Sequence, residues 1–219
     1  YHNSLIMSFN HPLIAKLRNY KLILGSSSPG RQEILKTNLG IHDFGILGSN
    51  FAEDLSKDDK SPLEYVQLTS KHKAEAIVAS LGIKENGGLA TLILTCDTII
   101  SCNNKVFEKP ITKEVQRQFF NYFKQFPELQ VISALTLIII DKDNATTEFS
   151  DYTITKLRFK TDDDDEIINA YIESEEGLEV AGGFKYQELG GLLFESIDGD
   201  YLNVVGLPLK TFDLLHRSI

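Results

Sequence analysis

The 219-residue chain carries 31 acidic against 22 basic side chains, a net charge of −9, and 42% of its residues are hydrophobic. That balance excludes a general binder of nucleic acid or of anionic membranes, which needs a basic surface, and leaves enough apolar material for one α/β domain or two small lobes. Any site for a phosphorylated ligand must then be a local cluster of Arg and Lys.

No stretch approaches 18 apolar residues, and the N-terminal YHNSLIMSFNHPLIAKLRNY lacks the apolar run of a signal peptide, so a cytoplasmic protein is expected. Residues 1–19 read as an N-terminal extension without assigned function, and residues 20–219 as a single domain. Cys96 and Cys102 lie six apart in one apolar run and are not expected to bond each other, which suits a reducing compartment.

In chain order, Lys21–Leu24 reads as a short buried strand, Gly25–Ser28 as a tight polar turn, and Pro29 onward as a helix with Ile34, Leu35 and Leu39 on one face. Ser28 is a good N-cap, Pro29 suits the first helical position, and Gly40 supplies the stop. Free N–H groups, the Ser26 and Ser28 hydroxyls and Arg31 then converge where a phosphate would bind, although an ordinary capped helix would look the same locally.

Phe44–Phe51 reads as a strand, followed by a charged loop that begins near Glu53. Ser61-Pro62-Leu63-Glu64 is a capping box that opens a helix through Tyr65, Val66, Ala74 and Ile77, with Lys73 within it. Thr91–Ser101 is an almost wholly apolar run broken by Asp97, which predicts a strand buried on both faces. A carboxylate in mid-strand needs a partner, because burying an unpaired charge is costly; it either bonds a neighbouring loop or serves as a general base or metal ligand.

Asn103-Asn104 is a hairpin turn signal, with a returning strand toward Lys109-Pro110. A two-residue turn places Lys109 opposite Thr98, whereas a three-residue turn with a bulge places it opposite Ile99 on the Asp97 face. Thr112–Phe126 is a helix whose four phenylalanines suit a core. Val131–Ile140 and Thr146–Lys160 are two long strands, and the acids from Asp162 to Asp165 open a further helix by complementing its dipole. Ala181–Gly191 holds four glycines around Lys185, Gln187 and Glu188, a composition for close approach of a ligand; a strand LLFESI and a last short helix follow.

The order S-x-S-P-x-R, then Glu53, Lys73-Ala74, Asp97-Thr98, E-K-P, A-G-x-F-x-x-Q and finally N-V-V-G-L-P-L resembles the Maf (septum-formation) family of nucleoside triphosphate pyrophosphatases, from Lys21 to about Leu215. The resemblance implies a long twisted mixed α/β sheet with two lobes around a central cleft, like the inosine triphosphate pyrophosphatases. It also implies hydrolysis of a nucleoside triphosphate to monophosphate and pyrophosphate with Mg²⁺ or Mn²⁺, and with it a role in clearing nucleotides from the pool. Carried over, Ser26, Ser28 and Arg31 would contact phosphate. Glu53 and Asp97 would sit at the metal and the water, with Asp97 the general base, and Lys73 and Lys109 would clamp the triphosphate. Gln187 would be a polar contact on the base side or the water side.

Two departures stand out: Gly30 replaces the first arginine of the family's S-P-R-R, and the histidine usual before Val131 is missing. Thr98 and Gln187 resemble the dTTP/UTP branch, whereas Lys185 resembles the 7-methyl-GTP branch, so a pyrimidine nucleotide is the expected substrate. Nothing in the sequence decides whether the chain is a homodimer. A haloacid-dehalogenase-type phosphatase would need Asp-x-Asp where Ile99 stands, and neither phosphate-loop nor dinucleotide-binding fingerprints occur. The remaining rival is a non-catalytic nucleotide sensor of the same fold.

Overall fold

The computed structural model describes residues 9–49, 59–81, 88–162 and 165–219. The elements run α1 (Pro12–Leu17), β1 (Tyr20–Leu24), α2 (Pro29–Glu33), β2 (Gly45–Ile46), α3 (Pro62–Leu81), β3 (Ala90–Cys102), β4 (Lys105–Phe107) and α4 (Lys113–Gln125). They continue with β5 (Glu128–Ile140), β6 (Thr146–Phe159), α5 (Glu166–Ser174), β7 (Phe194–Asp198), α6 (Tyr201–Val205) and α7 (Lys210–Ser218). Among the described residues one mixed sheet forms in the order β2-β1-β3-β5-β6-β7, with β4 also on β3, and no helix is long and apolar enough to cross a membrane.

The three long strands β3, β5 and β6 are antiparallel neighbours and make the spine: β3 and β5 carry buried runs of Leu and Ile, and β6 carries Thr, Tyr, Phe and Ile, which favour a half-buried pleated surface. The other edge of β3 is divided. Tyr20–Leu24 pairs in parallel with Ala90–Leu94, and Lys105–Phe107 pairs antiparallel with Ile100–Cys102. Among the described residues, 95–99 have no strand neighbour on that side. This gap separates two cores: one gathers Leu22, Leu24, Leu92, Leu94, Leu135 and Leu214, the other Phe107, Phe120, Phe123, Phe159 and Phe194.

α3 lies across one face and covers the middle of β3 and β5 through Val66, Ala74 and Ile77, all buried. Within residues 9–19, α1 sends Leu13 into the first core, where it is fully buried.

Several expectations shift in detail. The helix expected from Pro29 to Leu39 is α only to Glu33 and continues as a π turn over Ile34–Asn38. Ile34 and Leu39, five apart, are both buried, and the wider turn brings residues at that spacing onto one face. Gly40 does end it, with φ of +68°. The strand expected over Phe44–Phe51 is only two residues long within the described part, and Glu53 lies outside the described residues. Phe126 sits at the rim, 41% exposed, rather than in the core.

The hairpin is decided in favour of the two-residue turn: Cys102 faces Lys105, and both Asn103 and Asn104 have positive φ. Continued past Phe107, this register sets Lys109 level with Thr98. A left-handed φ costs a non-glycine residue about 1–3 kcal/mol, least for asparagine, and the freer unfolded chain of glycine takes back about 0.4–1 kcal/mol, so Asn104→Gly is expected to stabilise by a net of about 0.5–1 kcal/mol. The check is a thermal melt, with Tm raised by roughly 1–4 °C; a lower Tm would mean that the Asn104 side chain is itself needed.

Candidate active site

The gap in β3 opens into a cleft of about 500 Å³. Gly25, Ser26 and Ser28 line it from the turn after β1, Arg31 from α2, Lys73 from α3, Asp97 and Thr98 from β3 and Lys109 from the exit of β4; Glu179, Lys185 and Gln187 line it from the loop after α5. Of the site residues that the resemblance implies, all those described thus share one cavity, whereas Glu188 does not line it. Two other depressions, one of about 390 Å³ at the β3–β4 hairpin and one of about 600 Å³ beside α3, show no such convergence of family motifs.

At the centre, Lys73 Nζ donates to Asp97 Oδ1 at 2.6 Å, with both side chains only 11% exposed. β3 alternates its side chains, so Asp97 points to the α3 face while Thr98 points to the other. One turn before Lys73, Ser70 meets the hydroxyls of Thr95 and Thr136 at 3.3 and 3.0 Å, and Thr95 donates to the Ser70 carbonyl at 2.8 Å. These buried hydroxyls tie α3 to β3 and β5 and set the height at which Lys73 meets Asp97.

Arg31 is equally constrained. Its Nε donates to the Gly206 carbonyl at 2.9 Å, one guanidinium nitrogen to Ser26 Oγ at 3.4 Å and the other to Thr98 Oγ1 at 3.2 Å. Thr98 is in turn within 2.8 Å of Ser133 Oγ, which is wholly buried on β5. Ser28 caps α2 by accepting from Arg31 N–H, and Ser26 accepts from Ser28 N–H. Thr98 is therefore engaged with Arg31 in this structure rather than standing alone in the cleft.

Ser133 and Glu179 escaped the sequence reading, and Gly206 entered it only within the N-V-V-G-L-P-L motif, without a role at the site. Ser133 is a lone hydroxyl between Ile132 and Ala134, where an isolated polar residue in a buried strand is the available signal. Cys96 also sits here, its Sγ 3.6 Å from the Gly206 carbonyl. Burial pushes its thiol up against the pull of the Arg31 guanidinium, which keeps it protonated and unreactive. Lys109 and Gln187 are exposed at the two sides of the cleft mouth.

With this geometry in view, the sequence profile described as Maf-like protein matches residues 21–218. The chain belongs to the Maf family. The chain is 42% identical to the dTTP/UTP pyrophosphatase of Saccharomyces cerevisiae over 212 residues, 91% of this chain and 90% of that one. It is 37% identical to the dTTP/UTP pyrophosphatase of a Thermoanaerobacter species over 199 residues, 90% and 96% respectively. Among solved structures, a nucleoside-triphosphatase / dITP/XTP pyrophosphatase from Mycobacterium abscessus superposes with a TM-score of 0.37 at 10% identity, covering 78% of this chain and 93% of that one. A HAM1 protein from Coxiella burnetii gives 0.38 at 9% identity, covering 65% and 74%.

For this Maf protein, Thr98→Val removes the hydroxyl that holds Arg31 and leaves Ser133 without its partner. The bond exists before any ligand arrives, so its loss is felt in binding as the cost of ordering a freed side chain, about 0.5–1.5 kcal/mol, and binding of inorganic pyrophosphate should weaken roughly 2- to 10-fold in titration calorimetry. Unchanged affinity would mean that Arg31 is held well enough by Gly206 and Ser26.

Proposed function

We propose that this chain hydrolyses nucleoside triphosphates at the α–β phosphoanhydride, yielding nucleoside monophosphate and pyrophosphate, with dTTP and UTP as its substrates. The observation that carries the reading is the Lys73–Asp97 pair, set in the gap of the sheet and facing a cleft that also receives Arg31 and Lys109. The names borne by its relatives support the substrate class.

In this reading Asp97 accepts a proton from a water that attacks the α-phosphorus. The new P–O bond forms as the α–β bridging bond breaks, and its electron pair leaves with pyrophosphate. Arg31, Lys73 and Lys109 offset the charge that builds on the phosphates, the first two from positions set before substrate arrives. Ser26 and Ser28 supply short polar contacts beside Arg31.

A divalent cation such as Mg²⁺ or Mn²⁺ fits the donor set in a limited way. Among the described residues no group of three or more His, Cys, Asp or Glu converges, yet a cation that travels with nucleotide phosphates takes only one or two carboxylates from the protein. Asp97, together with Glu53, would hold it. When bound, it would neutralise phosphate charge.

Base selection falls to Gln187 and to Thr98 acting through Arg31. Gln187 both donates and accepts hydrogen bonds, which matches the O and N–H pattern of a uracil or thymine edge. Lys185 is the feature that favours guanine-type nucleotides, and it lines the same cleft.

The decisive experiment is analysis of products from a panel of triphosphates with Mg²⁺ or Mn²⁺. Pyrophosphate and monophosphate from UTP and dTTP are expected; orthophosphate as the first product would sink the reading, and tight binding without turnover would make the chain a sensor. Asp97→Asn should lower kcat by roughly 10²-fold or more, and turnover within a few-fold of the parent would leave Asp97 a structural role. Gln187→Glu removes a donor and adds negative charge, so the ratio of kcat/KM for UTP over a guanine nucleotide should fall. If both rates drop equally, Gln187 serves the reaction rather than base choice.

A further inference from the structure

Two sides of the cleft come from segments that are distant in sequence but bonded to each other. One is the exit of β4, residues 108–111, which carries Lys109. The other is the loop after α5, from Gly177 to Gln187, which carries Glu179, Lys185 and Gln187. Gly182 N–H donates to the Glu108 carbonyl at 3.1 Å, and Ile111 N–H donates to the Leu178 carbonyl at 3.0 Å. Ile111 takes part at a cost to itself: its φ is +66°, a left-handed conformation that β-branched residues avoid. Gly182 and Gly183 have φ of +73° and +79°, and a Cβ on Gly183 would come within 3.3 Å of Pro110 and 3.2 Å of Gln116.

Gln116, wholly buried on α4, holds this junction together. Its Nε2 donates to the Gly183 carbonyl at 2.7 Å and lies against Gly177, while its Oε1 is buried with no hydrogen-bond partner among the described residues. A buried amide with one unpaired end is a poor choice for stability alone, since an apolar side chain of the same length would bury no orphan acceptor of its own. Among the described residues, the one bond its side chain makes is to the loop. Tyr171 Oη accepts from Lys185 N–H at 2.9 Å and fixes the same loop farther on.

We propose that Gln116 is a positioning residue that locks the Lys109 segment and the Glu179–Gln187 loop into one unit, so that the phosphate side and the base side of the cleft keep a fixed separation. The proposal rests on the reading of this cleft as a nucleoside triphosphate site.

The test has two independent arms, with Gln116→Met as the variant of similar length. In amide exchange followed by NMR, Ile111 and Gly182 should both lose protection by roughly tenfold or more while the amides of β5 are unchanged. Retained protection at both, or loss at Gly182 alone, overturns the coupling. In steady-state kinetics with UTP, KM should rise roughly tenfold along with any fall in kcat. A fall in kcat at unchanged KM is what a smaller folded fraction produces, and it overturns the positioning role. If Gln116→Met does not fold, the wild-type protein decides: in urea below its unfolding transition, Ile111 and Gly182 must exchange through one shared opening, and protections that differ more than about tenfold overturn the proposal. Absence of pyrophosphate release from any nucleotide by the wild-type chain overturns the functional reading instead, and the exchange arm still decides the coupling.

Discussion

A strand edge serves one neighbour at each residue, and β3 divides its edge between β1 and β4 without either reaching residues 95–99. The cleft follows from that division. A continuous sheet would have closed over Asp97, and a wider gap would have left β4 unsupported. In the gap, a carboxylate is set in mid-strand with apolar residues on both sides, and it is tolerable there because Lys73 crosses from α3 to meet it. Breaking such a buried pair by removing one partner costs on the order of 3–5 kcal/mol. The contacts that place this carboxylate are therefore also contacts that hold α3 on the sheet, with Ser70, Thr95 and Thr136 repeating the tie one turn earlier.

The chain is acidic overall, yet the proposed ligand is a polyanion. A field of net charge −9 does not steer a nucleotide in, and at physiological salt charges more than about 8 Å apart are largely screened. Attraction has to be local, and Arg31, Lys73, Lys109 and Lys185 supply it within one cavity. Arg31 adds preorganisation. With three of its donors held by Gly206, Ser26 and Thr98, little rotamer freedom is left to lose when a phosphate arrives.

What was legible in the sequence was written in neighbouring residues: the Ser28–Pro29 helix start, the Gly40 stop, the apolar run around Asp97 and the Asn-Asn turn. Even the placement of Lys109 reduced to two registers, and the turn's positive φ values chose between them. What was not legible depends on partners distant in the chain. Ser133 matters because β5 lies beside β3, and Gln116 because α4 passes under a loop some 67 residues later. The π turn at Ile34–Asn38 arises from where the core needs Ile34 and Leu39, which helix propensity does not encode. The strand β2 pairs with Ile23 and Leu24 of β1, a contact that the run from Phe44 does not announce.

Hydrogen-bond capacity limits what Thr98 can do toward a base. A hydroxyl has one proton and two lone pairs, and Thr98 spends one lone pair on Arg31. The bond between Thr98 and Ser133 can run in either direction. If Thr98 donates to Ser133, no proton is left for a pyrimidine carbonyl, and only acceptance from a ring N–H remains open. If Ser133 donates, Thr98 has no lone pair to spare and keeps its proton, for which only the weak acceptor Cys96 Sγ at 3.9 Å competes among the described residues. The rotor of a buried serine on β5 thus determines whether Thr98 presents a donor or an acceptor, while Arg31 stays fixed in both cases. Any discrimination that Thr98 makes between bases is then set from inside the sheet, and Gln187, exposed at the mouth, is the side chain with both kinds of hydrogen bond still to give.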